Sequence, residues 1–144
     1  MSGIQEKADE IVKEFSQYDD WMDKYHLLIE RGKELPLIDP SGKTDENLIN
    51  GCQSKVWLTA EYREGKLYYK AESDALITRG LISMIIYVYS GHTPDEILSV
   101  EPVFIEESGL RQHLSPTRSN GLTAMIKQMK FYAMAWKIKS QNNT

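Results

Sequence analysis

The 144-residue chain contains a single cysteine, Cys52. One thiol closes no internal disulfide, and a dithiol oxidoreductase would need a second thiol to resolve its mixed disulfide. The three histidines, His26, His92 and His113, have no mutual spacing that suggests ligands, so a structural zinc set is not supplied either. The start of the chain, Met1 to Asp9, is polar and carries two acidic groups where an export signal would need a positive start followed by an apolar run. A cytoplasmic protein with a free thiol is therefore expected. No long hydrophobic run is present: the most apolar stretch, Ala75 to Tyr89, is broken by Thr78, Arg79 and Ser83 and falls short of the roughly 20 residues of a membrane helix. Charge of one sign is also missing. Charged residues make up 26% of the chain, mixed in sign, with a net charge of -4, so neither nucleic acid nor a membrane surface is an expected partner. Phosphate-binding glycine loops, serine nucleophile elbows, paired metal-binding helix motifs, repeats and low-complexity linkers are absent from the text.

A hydrophobic content of 41% in 144 residues suits one continuous core. One domain over 1–144, with an ordered core of about 4–138, is expected. Ile4, Ala8, Ile11, Val12 and Phe15 have helical spacing, and Ser2 with Gln5 fits a capping box. Trp21, Met22, Tyr25, Leu28 and Ile29 form a second apolar run, which begins behind Asp19 and Asp20 and stops at Gly32. Pro36 and the turn formers Asp39, Pro40, Ser41 and Gly42 predict an exposed loop leading toward Cys52. Val56, Leu58, Ala60 and Tyr62 then alternate with Trp57, Thr59 and Glu61. After a turn at Arg63 to Lys66, Leu67, Tyr69 and Ala71 alternate again, which predicts an antiparallel hairpin.

Ser73 and Asp74 are predicted caps of a central helix carrying Ile77, Leu81, Met84, Ile85, Val88 and Tyr89 on one side and Ile82 and Ile86 on the other. Thr93, Pro94 and Glu96 fit a capping box for a short helix, and Glu101 to Leu114 reads as less regular. Ser115 and Pro116 open a last helix with Leu122, Met125, Ile126, Met129, Ala133 and Trp136 on one face, and the polar end from Ser140 should fray. Helices, a hairpin and helices again predict an α+β fold, a small antiparallel sheet covered on one face by helices. Because a two-stranded hairpin alone is only marginally stable, a third strand near Leu35 to Ile38 is expected.

Cys52 stands in Asn50-Gly51-Cys52-Gln53-Ser54, after a polar loop and before the first strand. Gly51 removes a side chain beside the sulfur and widens the backbone choices, which suits a thiol presented at a loop tip. Free cysteines are also commonly small buried hydrophobes, and the pattern leaves that reading open. Arg118, at the start of the last helix, could join free amides in stabilising a sulfur anion, or be a solvated arginine. His113 precedes that segment. Asp74 fits either a helix cap or a partner contact.

At Gly51-Cys52-Gln53-Ser54-Lys55-Val56-Trp57 the chain resembles the signature around the acceptor cysteine of the SufE family, which includes the related CsdE proteins. Tyr25 to Gly32 with Leu35-Pro36, Ser73-Asp74-Ala75 through Gly80-Leu81, and Gln112 to Leu122 resemble further family segments, in the same order from about Ile4 to Trp136. The resemblance implies a SufE/IscU-like fold and a sulfur carrier that also stimulates its donor, rather than a stand-alone enzyme. Cys52 would accept persulfide sulfur from a SufS-type cysteine desulfurase and deliver it to an iron-sulfur scaffold complex. Pyridoxal phosphate would belong to the desulfurase, leaving this chain without a cofactor or metal of its own. Gly51, Gln53, Asp74, His113 and Arg118 match motif positions and would contact the partner or the sulfur anion; docking would move the Asn50 to Ser54 loop outward. Pairing into a homodimer is left open. Two other readings compete: an allosteric desulfurase activator that carries no sulfur, and a single-cysteine redox sensor.

Overall fold

Helices with apolar spacing at the start of the chain bury that face against a central helix, and the last helix packs on the hairpin. The computed structural model describes residues 3–49, 55–110 and 114–142. Helices α1 (Gly3–Ser16) and α2 (Trp21–Gly32) come first, followed by a loop with two short turns of 3₁₀ helix at Pro40–Gly42 and Asp45–Asn47. Strands β1 (Val56–Arg63) and β2 (Lys66–Ser73) form the hairpin. Then come α3 (Leu76–Tyr89), α4 (Pro94–Ser99), α5 (Val103–Glu107) and α6 (Pro116–Asn142). The architecture is α+β, and Ser2 of the expected first cap lies outside the described residues.

Helix α1 buries Ile4, Ala8, Ile11 and Phe15. Helix α2 starts where the Asp20 carboxylate accepts from the Met22 amide at 2.9 Å. Its buried residue is Leu28, with Trp21, Tyr25 and Leu27 packed beside it. Met22, counted above with the apolar run, is instead exposed, because a residue next to Trp21 sits a further 100° around the helix, away from the core.

The hairpin pairs Val56 with Ser73 through Arg63 with Lys66. Glu64 and Gly65 turn it with φ of 52° and 82°, the positive values a two-residue type I′ loop requires. Alternation places Val56, Leu58, Leu67, Tyr69 and Ala71 in the core. The Tyr69 hydroxyl donates to the Met129 carbonyl at 2.7 Å, tying α6 to the sheet.

No third strand forms among the described residues. Leu37 makes only an isolated bridge to Ala71, and on the other edge Leu48 bridges Trp57. Pro36 has no N–H to extend the first bridge, and the chain turns away at Asp39 and Pro40. The hairpin gains its stability instead from α3 and α6, which cover its apolar face.

Helix α3 is buried nearly all round, and its closest neighbour is α2. Its cap differs from expectation. Ala75 occupies the cap position without a side-chain bond, Ser73 Oγ accepts from the Ala75 amide at 3.3 Å, and Asp74 is exposed. The capping box at Thr93 and Glu96 forms as read. The stretch expected to be irregular contains α5, which buries Phe104 and Ile105. Helix α6 is capped by Ser115, whose hydroxyl accepts from the Arg118 amide at 3.2 Å, and it stays helical through Ser140 to Asn142.

Candidate functional site

Gly51, Cys52 and Gln53 lie outside the described residues, as does His113; the residues on either side of the cysteine segment are described. The Ile49 amide donates to the Val56 carbonyl at 2.8 Å, and Leu48 pairs antiparallel with Trp57. The chain therefore leaves the sheet edge at Ile49 and rejoins it at Lys55 and Val56, so both ends of the 50–54 segment are fixed at one point. Ile49 and Val56 are buried, while Lys55 is exposed.

Pairing of Val56 with Ser73 brings the next residue of the second strand's exit, Asp74, to this same end of the hairpin. Asp74 is exposed and so is Leu76, at 61%. The same end also gathers a charged cluster on the outer face of the sheet. The Glu72 carboxylate accepts from the Ser73 amide and from Arg79 Nε, each at 2.9 Å, and lies 4.0 Å from Lys43 Nζ. Lys43 also stands 5.3 Å over the ring of Trp57. Burial pushes the Glu72 carboxyl up, but the bonds from Arg79 and Ser73 and the charges of Arg79 and Lys43 outweigh it and hold the group below its ordinary value.

Arg118 lies in the first turn of α6 and is half-buried. Tyr62, near the far end of β1, stacks on Trp136 with ring centroids 4.7 Å apart, and Tyr69, paired with Ala60, reaches back to Met129. Moving back along β1 thus moves back along α6. From Tyr62 to Val56 the strand spans about 20 Å at roughly 3.3 Å per residue. The same length of helix, at about 1.5 Å per residue, runs from Trp136 back to the neighbourhood of Thr123. The first turn of α6, with Arg118, accordingly extends in the direction of the hairpin end to which the cysteine segment is attached. Asp74 and Arg118 approach this end from different elements.

A groove of about 510 Å³ borders the site, lined by Asp45 to Ile49 on one wall and by Ala124, Lys127, Gln128, Phe131 and Tyr132 of α6 on the other. Among the described residues, no group of three or more His, Cys, Asp and Glu side chains is placed to hold a metal, and no helix is long and apolar enough to cross a membrane. Sequence reading missed Lys43, Glu72 and Arg79. Each looks like an ordinary surface charge in the text, and only the alternation that places Glu72 opposite Trp57 could have marked it.

Comparison with known proteins agrees over most of the chain. Residues 9–133 match the family described as SufE: Fe-S metabolism associated domain. A SufE-like protein of Rhizobium meliloti is 39% identical over 127 residues, covering 85% of this chain and 91% of that protein. A SufE-like protein of Synechocystis is 37% identical over 128 residues, covering 89% and 80%. The chloroplastic/mitochondrial SufE-like protein 1 of Arabidopsis thaliana is 38% identical over 139 residues, which is 96% of this chain but 38% of that longer protein. The solution structure of a hypothetical protein from Thermus thermophilus superposes with a TM-score of 0.77 at 19% identity, over 94% of this chain and 97% of the other, and shares the fold.

Proposed function

The chain belongs to the SufE family of iron-sulfur metabolism, and on that premise we propose that Cys52 receives a persulfide sulfur from a cysteine desulfurase and passes it on for cluster assembly. The observation that carries the proposal is that the only thiol of a chain matched to this family over residues 9–133 falls between two strand anchors, Ile49 and Val56, bonded at 2.8 Å. A short segment held at both ends suits a nucleophile that must reach into another protein's active site.

The transfer is an exchange at sulfur. The Cys52 thiolate attacks the outer sulfur of the donor persulfide, a new S–S bond forms, the old one breaks, and the desulfurase cysteine leaves as thiolate. No net oxidation occurs and no cofactor is required of this chain; the pyridoxal phosphate that cleaves the carbon-sulfur bond of cysteine belongs to the donor. Arg118, with the amides of the first turn of α6, supplies positive potential at this end for a persulfide anion. Exposed Asp74 contributes to the surface that meets the desulfurase, with Gly51, Gln53 and His113 as further contacts. The acceptor is an iron-sulfur scaffold complex, and a reducing compartment such as the cytoplasm keeps the thiol free.

Incubation of the chain with a SufS-type desulfurase and free cysteine, followed by intact-protein mass spectrometry, should show one added sulfur on Cys52 that a reductant removes. Cys52→Ser should gain none and should lose the stimulation of desulfurase turnover. Full stimulation by Cys52→Ser would instead establish an activator that carries no sulfur, and fast peroxide oxidation without persulfide loading would establish a redox sensor.

A further inference from the structure

We propose that Glu72 is a positioning residue for sulfur transfer: it clasps Arg79 of α3 and Lys43 of the loop before Cys52, and so holds in register the Leu48–Ile49 anchor from which the cysteine segment departs. The inference rests on the carrier reading above, but its structural half can be measured without any desulfurase.

The outer face of a two-stranded sheet is ordinarily solvated, yet the Glu72 side chain is only 12% exposed. A carboxylate withdrawn this far from water needs compensating donors. It has them in the Ser73 amide, Arg79 and Lys43. Arg79 comes from the first turn of α3, directly behind the exposed pair Asp74 and Leu76. Lys43 comes from the loop that leads to Cys52 and also covers Trp57. That loop is braced internally, since the Asn47 side chain donates to the Gly42 carbonyl at 2.8 Å, and Gly42 lies against Thr59. Trp57 is at once the cross-strand partner of Glu72 and the bridge partner of Leu48. One carboxylate therefore links the exposed corner at Asp74, through Lys43 and Trp57, to the anchor residue beside the cysteine segment.

The link is soft by construction. Lys43 is 41% exposed and its contact to Glu72 is 4.0 Å long, a geometry that contributes little to global stability. Its effect should appear in where the anchor sits, and reaction rates respond steeply to placement.

The test uses the full chain as wild type, Glu72→Gln, Glu72→Asp, Lys43→Met and the double variant of Glu72→Gln with Lys43→Met. Hydrogen exchange of the Leu48, Ile49 and Trp57 amides and the kcat and KM for Cys52 persulfidation are read side by side with Tm. Glu72→Gln should speed exchange at Leu48 and Ile49 and lower kcat about tenfold while Tm moves by only a few degrees. Lys43→Met should do the same more weakly, the double variant should be no worse than Glu72→Gln, and Glu72→Asp should recover most of the rate. Unchanged exchange and unchanged kcat in Glu72→Gln would overturn the inference; should that variant fail to fold, the same null result in Lys43→Met, whose side chain is largely at the surface, would overturn it equally. Wild type that takes no sulfur on Cys52 would sink the carrier reading instead, and the exchange measurement would still decide whether Glu72 holds the anchor.

Discussion

Gly80 marks a close backbone approach between α3 and α2. A Cβ built there would lie 2.2 Å from the Leu28 carbonyl oxygen and 2.7 Å from its carbon, both backbone atoms that cannot swing aside. Gly80→Ala must therefore push α2 away from α3. Alanine gains about 1 kcal/mol in helix propensity, while overpacking of a core costs roughly 1–3 kcal/mol and more where backbone is forced. We expect a net loss of about 2 kcal/mol, seen in urea unfolding as a lower midpoint at unchanged m. At the same scale, the cysteine and the alternation of the hairpin were legible in the text. The partnership of Glu72, Arg79 and Lys43 was not, because no local pattern relates residues drawn from a strand, a helix and a loop.

Among the elements, the hairpin was the most readable, since its period of two and its glycine turn sit within one short stretch. Its turn contains a residue that local preference disfavours: Glu64 holds φ of 52° ahead of Gly65. Left-handed backbone costs a side chain with a Cβ about 1–2 kcal/mol, and asparagine is the common exception. Glu64→Asn should raise stability by about 0.5–1 kcal/mol in chemical denaturation, without altering sulfur transfer, because the turn lies at the end of the sheet opposite the cysteine segment. The third strand failed as an expectation because Pro36 limits that edge to a single bridge. The short helix α5 escaped notice because five residues carry too little periodicity to separate from irregular chain. Asp74 did not become a cap, because Ala75 takes that position and leaves Asp74 exposed.

Acid should loosen the whole molecule in two stages. His92 joins three elements: its backbone bridges Leu67 of β2, its ring lies against Gly3 of α1, and its Nδ1 stands 3.6 Å from Glu96 of α4. Burial lowers its pKa below 6.5; the Glu96 charge and hydrogen bond oppose this, while Lys7 and Lys66 add to it. The folded protein thus prefers the neutral ring, so His92 contributes stability that is present above about pH 6.5 and is lost as pH falls below it. Glu96, held below 4.5 by the Thr93 amide and hydroxyl, and Glu72, whose partners outweigh its burial, contribute stability that is lost only as pH falls below 4.5. Urea unfolding from pH 8 to about pH 3 should show a first decline beginning near pH 6.5 and a second below 4.5. His92→Gln should remove that first decline and leave the second.

The chain's own text excluded dithiol exchange, because it holds one thiol, and it determined most elements, because periodicity and caps are local. Tertiary structure decided which residues share the end of the molecule where the cysteine segment begins and returns. Asp74 and Arg118 are 44 positions apart in sequence; hairpin register brings Asp74 to that end, and α6 runs so that its first turn, with Arg118, extends toward it. Such meetings depend on packing between elements, which burial and close backbone approach fix and which no stretch of sequence encodes alone.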